Sequence, residues 1–203
     1  MTSKFNKADD LRPCVFLDRD GCLIEEVDYL TQPEQVRVIH GSAAAVRRLN
    51  EAGLLAIMVS NQSGVARGFL TEEMLQRIHA RLKAKLARRH ARLDGVYYCP
   101  YHQQAKVKQY RQDSPLRKPQ PGMVELAARE YPIDVSRSYV VGDKNSDIDL
   151  GKNCGMKTVL VLTGYGKAHG EKRRAMGAEP PDFVAANLAR AVDWILQDLK
   201  RSR

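Results

Sequence analysis

The stretch PCVFLDRDGCLI, residues 13–24, decides the fold of this chain. An apolar run over residues 15–17 ends in two aspartates one residue apart, Asp18 and Asp20, and a glycine follows at once. A short apolar run bounded by turn residues is typical of a buried β-strand. Carboxylates directly after such a strand lie where open α/β sheets place their chemistry. Because Asp and Gly are also common turn residues, the stretch alone is equally compatible with a strand and a solvated turn.

The composition is that of an ordinary globular protein. The chain has 203 residues, of which 43% are hydrophobic and 28% charged, so we expect one domain with a full core. No apolar run approaches the length of a membrane span, and the first residues, MTSKFNKADDLRP, lack the apolar segment of a signal peptide. We therefore expect a cytoplasmic protein without membrane contact, in which the four cysteines are reduced.

Lys and Arg exceed Asp and Glu by 33 to 24, which gives a net charge of +9. Such a surplus is compatible with nucleic acid or with anionic substrates. Much of it lies in residues 77–92, 167–174 and 200–203. The first of these segments has leucines at helical spacing, so its charges fit the solvated face of an amphipathic helix. Since no aromatic residues interleave with the basic ones, we expect no nucleic-acid partner.

Strand-like and helix-like segments alternate along the chain, which predicts a parallel sheet with right-handed crossovers. The predicted strands cover residues 15–18, 54–60, 95–99, 138–141 and 158–162. The predicted helices cover residues 42–52, 71–93, 121–130, 147–153 and 185–199. We expect a poorly ordered tail at 1–12, one domain over 13–203, a polar loop at 100–120 and a mobile surface loop at 164–177.

Polar groups stand where the predicted strands end. Asp18 and Asp20 follow the first strand, residues 60–63 (SNQS) follow the second, and residues 142–147 (GDKNSD) follow the fourth. Residues 117–118 (RK) stand just before a helix. In a parallel sheet all these ends lie on one edge. Several carboxylates would therefore face a lysine and a group of hydroxyl and amide donors.

That mixture of groups suits phosphoryl transfer. Carboxylates bind Mg²⁺ through hard oxygens, and the metal offsets the repulsion between a carboxylate and an anionic phosphate. One carboxylate can attack phosphorus, while a second protonates the leaving alcohol and later activates water. Each group also has an ordinary explanation as a turn, a helix cap or an early-helix acid. Their coincidence at successive strand ends is what favours a catalytic site.

Four strings in these places resemble the motifs of the haloacid dehalogenase superfamily of aspartyl phosphatases. DRDGC, VSNQ, RKP and GDKNSD match its first to fourth motifs in order. NQSGVARG (61–68), DGVYYCPYH (94–102) and RKPQPGM (117–123) are similar to strings of its heptose bisphosphate phosphatases. The resemblance covers about residues 13–165. It implies an α/β fold with a single doubly wound, Rossmann-like parallel sheet and flanking helices, and the motif spacing leaves no room for a large cap domain.

The resemblance implies a role for each residue of the central motifs. Asp18 would be the nucleophile and Asp20 the general acid/base. Mg²⁺ would be held by Asp18, the backbone carbonyl of Asp20 and Asp143. Ser60 and Lys118 would hold the transferring phosphoryl group.

The substrate contacts are implied in the same way. Arg117 would recognise a second phosphate or the sugar, and Asp147 would lie outside the ligand set and orient Lys118 or a metal-bound water. The other substrate-binding residues implied are Asn61, Gln62, Ser63, Lys144, Glu26, Asp28 and Tyr29. The last three belong to a loop that matches the family poorly except at Tyr29.

The chain departs from the family in the loop at 100–120. Many members bind structural zinc there through a CxH pair and a later CxC pair. Cys99 remains, but the other three positions hold Tyr101, Ser114 and Leu116. His102 is out of register, and one thiol with one displaced imidazole cannot build the four-ligand site that zinc prefers. We predict no zinc and expect the loop to be held by packing of Tyr98, Tyr101, Tyr110 and Pro115.

We therefore expect a Mg²⁺-dependent monomeric phosphatase that acts on a small anionic sugar phosphate. The reaction would remove the C7 phosphate of a heptose bisphosphate, on the way to activated heptose for lipopolysaccharide. Histidinol-phosphate phosphatase is an alternative, although NQSGVARG favours the heptose enzyme over the NQDG of the histidinol relatives. Polynucleotide 3′-phosphatase shares the DxDG start but needs an aromatic platform for bases. A non-catalytic protein with this fold would be expected to have lost part of the motif set, which is intact here.

Overall fold

The computed structural model describes residues 11–201. Its strands are β1 (Arg12–Leu17), β2 (Leu55–Asn61), β3 (Gly95–Cys99), β4 (Ile133–Gly142), β5 (Lys157–Val161) and β6 (Phe183–Ala185). They form one sheet in the order β3-β2-β1-β4-β5-β6, in which every neighbouring pair is parallel. The chain therefore winds outward in both directions from β1 and β4, and the predicted doubly wound α/β sheet without a large cap is confirmed.

Helices cover both faces of this sheet. They are α1 (Ser42–Glu51), α2 (Ser63–Ala66), α3 (Glu72–Ala87), α4 (Gly122–Glu130), α5 (Asn145–Asn153), α6 (Gly166–Ala175) and α7 (Leu188–Arg201). Within residues 11–201, none of the helices has the length and apolar character that crossing a membrane requires.

β1 lies at the centre of the sheet and is buried on both faces. Val15 and Leu17 pack with the core residues of α1, α3 and α7, whereas Cys14 and Phe16 pack with those of α4 and α5. Burying a large apolar side chain contributes roughly 1.5–3 kcal/mol relative to exposing it. This two-sided burial explains the uninterrupted apolar run and holds the end of β1 firmly in the sheet.

The register of the sheet brings the predicted site residues to one edge. Leu17 is opposite Met58 of β2 on one side and opposite Val141 of β4 on the other. The backbone N–H of Asp18 donates to the carbonyl oxygen of Val141 at 2.9 Å. The residues that follow β1, β2 and β4 therefore meet at the point where the strand order reverses, which is where open α/β sheets bind ligands.

Several predicted boundaries differ from the structure. The loop predicted at 164–177 is wrong, since α6 occupies ten of these residues. The sequence of α6 is polar and gives no sign of packing, but Arg173 is buried and pairs with Asp149 of α5 at 2.7 Å. The predicted helix 185–199 begins at Leu188 instead, because residues 183–185 add the edge strand β6.

The tail predicted at 1–12 overlaps the first strand. Residues 1–10 of the tail predicted at 1–12 lie outside the described residues. Arg12 is already the first residue of β1 and pairs with Ile133 of β4.

Candidate active site

Three buried carboxylates meet at the carboxyl edge of the sheet. Asp18 follows β1, Asp143 follows β4, and Asp147 lies in the first turn of α5. One carboxylate oxygen from each residue lies within 4.8 Å of those of the other two. All three side chains are almost fully buried. The structure thus brings the predicted nucleophile and metal ligand together, and it adds Asp147 to the same cluster.

Asp143 is enclosed by glycines. The backbone N–H of Tyr165 donates to its Oδ2 at 2.8 Å. A Cβ on Gly21 would lie 2.1 Å from this oxygen and one on Gly164 would lie 2.3 Å from it, and both glycines have positive φ, +73° and +55°. The other oxygen, Oδ1, is buried and has no hydrogen-bond partner among the described residues. One side of the carboxylate is therefore held by backbone, while the other offers a free ligand atom.

Lys118 supplies the positive charge of the cluster. Its Nζ donates to Asp18 Oδ1 at 2.8 Å and to the carbonyl oxygen of Val59 at 2.9 Å, and lies 2.6 Å from Asp147 Oδ1. Burial opposes its charge, but Asp147 and Asp18 outweigh burial and raise the pKa of Lys118. The side-chain amide of Asn61 bonds to both the N–H and the carbonyl oxygen of Lys118 and so fixes its backbone.

The electrostatics of the cluster favour an additional cation. Burial, reinforced by the charge of Asp18, raises the pKa of Asp143 to about 8. Burial also raises the pKa of Asp147 to about 6, although Lys118 opposes this. The pKa of Asp18 is lowered, because Lys118 and Lys144 outweigh its burial. Lys118 and Lys144 lower the pKa of Asp18 but leave those of Asp143 and Asp147 raised, so a hard divalent cation bound by oxygen ligands fits the set of three carboxylates.

Asp20 lies apart from this cluster and faces the pocket. Gln62 Nε2 donates to Asp20 Oδ2 at 3.0 Å and to Ser60 Oγ at 2.8 Å. Arg19 Nε donates to Asp20 Oδ1 at 3.0 Å. The predicted residues Ser60, Gln62 and Asp20 therefore form one hydrogen-bonded chain. Sequence reasoning did not select Arg19, and its position between the two aspartates was the signal that could have found it.

A pocket of about 200 Å³ opens beside Asp20. Lys144 Nζ lies 2.8 Å from Glu26 Oε2, and the hydroxyl of Tyr165 donates to Asp28 Oδ1 at 2.9 Å. The predicted substrate-binding residues on its wall are Glu26, Asp28, Tyr29, Asn61, Gln62, Ser63 and Lys144. Tyr165 was not predicted, since nothing in its neighbouring sequence indicates that it reaches across to the loop at 26–29.

The loop at 100–120 and the strand β3 before it are tied to α3 by tyrosine hydroxyls. Tyr98 and Tyr110 donate to the two oxygens of Glu72 at 2.7 and 2.9 Å. Within the loop, Arg117 Nη1 donates to the carbonyl oxygen of Tyr101 at 3.2 Å and does not line the pocket described above. Glu72 is thus an anchor that the packing hypothesis did not include. The absence of zinc stays a prediction.

The chain is similar in sequence to known phosphatases. Residues 115–191 match a family model described as HAD-hydrolase-like. The D-glycero-D-manno-heptose-1,7-bisphosphate 7-phosphatase of Thermosynechococcus vestitus is 44% identical over 93% of this chain and 97% of its own. The D-glycero-beta-D-manno-heptose-1,7-bisphosphate 7-phosphatase of Escherichia coli K12 is 39% identical over 92% of this chain and 90% of its own.

A solved structure shares the whole architecture. The D,D-heptose 1,7-bisphosphate phosphatase of B. bronchiseptica, crystallised with magnesium and phosphate, superposes with a TM-score of 0.80 at 29% identity. The match covers 92% of this chain and 99% of that one.

The fold and the buried carboxylate–lysine cluster define a phosphoric monoester hydrolase of the HAD-like class. Within that class, the chain belongs to the family of D-glycero-D-manno-heptose-1,7-bisphosphate 7-phosphatases. The family resemblance predicted from the four motifs is confirmed.

Proposed function

We propose that this protein is a Mg²⁺-dependent phosphatase that removes the C7 phosphate of D-glycero-D-manno-heptose 1,7-bisphosphate through an aspartyl phosphate on Asp18. The observation that carries the proposal is the buried cluster of Asp18, Asp143 and Asp147 around Lys118, in a chain 44% identical to a phosphatase named for that substrate.

The metal would be held by Asp18 and Asp143, with the backbone carbonyl of Asp20 as a further ligand. The free Oδ1 of Asp143 and its raised pKa support this assignment. The neighbour crystallised with magnesium and phosphate supports the choice of metal. When bound, Mg²⁺ supplies positive charge that offsets the repulsion between the carboxylate and the phosphate.

Asp18 is suited to attack, because Lys118 and Lys144 favour its ionised form. Its carboxylate oxygen forms a bond to phosphorus while the bond to the sugar oxygen breaks, and Asp20 gives that oxygen its proton. Asp20 then takes a proton from water, which attacks phosphorus and releases inorganic phosphate from Asp18. Lys118 and the hydroxyl of Ser60 stabilise the charge on the phosphoryl oxygens.

Two arginines support a substrate with a second phosphate. Arg67 Nε is buried with no hydrogen-bond partner, and within residues 11–201 neither Arg67 nor Arg117 forms an ion pair with a carboxylate. Burial lowers the pKa of Arg117, and the like charge of Arg67 adds to this effect. A dianionic phosphate would satisfy both guanidinium groups, as Arg–phosphate pairs do elsewhere.

The proposal also places the enzyme in the synthesis of activated heptose for lipopolysaccharide. A monomeric state, a cytoplasmic location and the absence of nucleic-acid and membrane partners stay predictions that accompany it.

The test is phosphate release from both anomers of heptose 1,7-bisphosphate, from histidinol phosphate and from a 3′-phosphorylated oligonucleotide. Each reaction is run with Mg²⁺ and with EDTA, beside Asp18→Asn. We expect Mg²⁺-dependent release from a heptose anomer that the variant loses. Preference for either other substrate would overturn the proposed substrate, and EDTA-resistant release would overturn the proposed metal dependence.

A further inference from the structure

A buried arginine stands directly behind the proposed acid/base. The side chain of Arg19 is 2% exposed. Its Nε lies 3.0 and 3.2 Å from the two carboxylate oxygens of Asp20, and its Nη2 lies 3.0 Å from Oδ2. A buried cation is costly unless its donors are matched by acceptors. Arg19 therefore holds the carboxylate of Asp20 with one edge of its guanidinium, formed by Nε and Nη2.

The other end of this guanidinium meets a histidine of α3. Arg19 Nη1 lies 3.3 Å from His79 Nε2, and both groups are buried. Burial lowers the pKa of His79 to about 3, and the charge of Arg19 contributes to this. A neutral imidazole protonated at Nδ1 presents Nε2 as an acceptor, which is the form that an arginine N–H requires. The ring also packs against Tyr98, with 5.5 Å between the ring centroids.

We propose that Arg19 and His79 are positioning residues for Asp20: His79 holds the far end of the Arg19 guanidinium, and Arg19 thereby fixes the carboxyl group of Asp20 at the pocket. This inference rests on the proposed acid/base role of Asp20. Nothing in the four sequence motifs points to His79, whose side-chain nitrogen Nε2 meets Arg19 and not Asp20 itself.

The arrangement explains why a polar residue occupies a core position of α3. His79 lies between the buried Ile78 and Leu82, where an apolar side chain would pack without any polar requirement. An apolar residue at this position would leave the Nη1 end of Arg19 buried and unpaired. The guanidinium would then turn to find another acceptor, and the Asp20 carboxyl group would shift, because Gln62 would remain as its donor at Oδ2 alone. A displacement of about 1 Å at a catalytic group can lower a rate about 10²-fold.

His79→Leu and His79→Gln form the matched test pair. Gln places a side-chain oxygen near the position of Nε2 and restores the acceptor, whereas Leu fills the space without one. Ile78→Ala is the control, because it weakens the neighbouring core and removes no hydrogen-bonding group. Urea denaturation establishes that all three variants are folded under the assay conditions.

The readout is the single-turnover release of the alcohol, with enzyme in excess, for two substrates. A sugar phosphate has a poor leaving group and needs the proton from Asp20, whereas 4-nitrophenyl phosphate needs it far less. We expect His79→Leu to slow sugar release by up to about 10²-fold and nitrophenol release by only a few fold. His79→Gln should restore most of the rate, and Ile78→Ala should leave the ratio of the two rates unchanged. Equal slowing of both substrates in His79→Leu would overturn the proposal.

A spectroscopic measurement separates failure of this inference from failure of the proposed function. In the ¹⁵N NMR spectrum of the histidine-labelled wild type at neutral pH, we expect His79 as the tautomer protonated at Nδ1. Arg19→Met should shift the Nε2 resonance. A proton on Nε2 would overturn the inference whatever the substrate proves to be. If His79 has the expected tautomer but the protein does not turn over heptose bisphosphate, the proposed function alone is overturned. The rate comparison then uses the sugar phosphate that the wild type cleaves best.

Discussion

Lys118 Nζ and Asp18 Oδ1 are 2.8 Å apart, although 100 residues separate them in the chain. The same ammonium group lies 2.6 Å from Asp147 Oδ1. One lysine therefore bridges the proposed nucleophile and a carboxylate of α5, and the charge balance of the site depends on it.

Lys118→Met should be strongly destabilising as well as inactive. Removing one partner of a buried ion pair leaves the other charge uncompensated and costs about 3–5 kcal/mol. We expect a loss of that size in urea denaturation, together with phosphate release at background. Lys157→Met is the control: its pair with Asp198 is partly exposed, so the cost should be about 1 kcal/mol or less. Wild-type stability in Lys118→Met would contradict the bridging role.

Asp143→Asn should have opposite effects with and without metal. Without Mg²⁺ the variant should be more stable than the wild type, because a buried carboxylate with a raised pKa is replaced by a neutral amide of the same shape. With Mg²⁺ at 100 times its Kd, the wild type should gain about 2.7 kcal/mol and the variant little. Thermal unfolding measures both effects. Glu51→Gln is the control: because Glu51 is exposed, its stability and its gain with Mg²⁺ should equal those of the wild type. An equal gain in Asp143→Asn would exclude Asp143 as a ligand.

Gly21→Ala tests the enclosure of Asp143. The added Cβ would lie 2.1 Å from Asp143 Oδ2, on a backbone with φ of +73°. We expect the stabilisation by Mg²⁺ and the phosphatase activity to be lost. Gly53→Ala is a matched control, since φ is +78° and, apart from its chain neighbours, no residue in the range 11–201 comes within 4 Å of the new Cβ. It should cost only about 1–2 kcal/mol of backbone strain and keep its response to Mg²⁺. A similar loss in both variants would assign the effect to strain alone.

His79 should make the protein sensitive to acid. Its pKa is about 3 in the fold, against about 6.5 in the unfolded chain, so the unfolded state binds the extra proton. Its contribution to the free energy of unfolding is present above pH 6.5 and falls by up to about 1.4 kcal/mol per pH unit as the pH drops toward 3. His79→Gln should flatten this part of the profile in urea denaturation. An unchanged slope would show that His79 does not titrate differently in the two states.

Arg67→Met should weaken binding of a second phosphate. A hydrogen bond to a charged group contributes about 1.5–3 kcal/mol, so we expect KM for heptose 1,7-bisphosphate to rise about 10–100-fold with little change in kcat. Heptose 7-phosphate is the control substrate, because it lacks the second phosphate and its KM should not change. Equal effects on both substrates would place Arg67 outside the second phosphate site.

The sequence was most informative where periodicity and strand ends coincide. The apolar run before Asp18 predicts a buried central strand, because both faces of β1 must be covered. Once a parallel sheet is inferred, its geometry places Asp18 and Asp143 at one edge, because each directly follows a strand. Lys118 is expected near the same edge, because it stands just before the helix that follows β3. These predictions needed only local pattern and the topology of α/β sheets.

The segment 164–177 was predicted as a surface loop because its sequence is polar, although the structure forms α6 there. Its buried Arg173 is paired with Asp149, which precedes it by 24 residues, and an arginine in a charged segment carries no local sign of burial. The edge strand β6 was missed because three residues are too few to show a period.

By itself, the sequence determined the class of fold, the order of the motifs and the chemical types that meet at the sheet edge. The tertiary structure decided which atoms are paired: Asp147 with Lys118, Asp143 between its two glycines, and Arg19 between Asp20 and His79. The physical reason is that a buried polar group is costly unless it is paired. The packing of the fold determines which residues, far apart in the chain, form these pairs. Local sequence patterns cannot predict these pairs, because the pairs contribute to stability only after folding has excluded water from them.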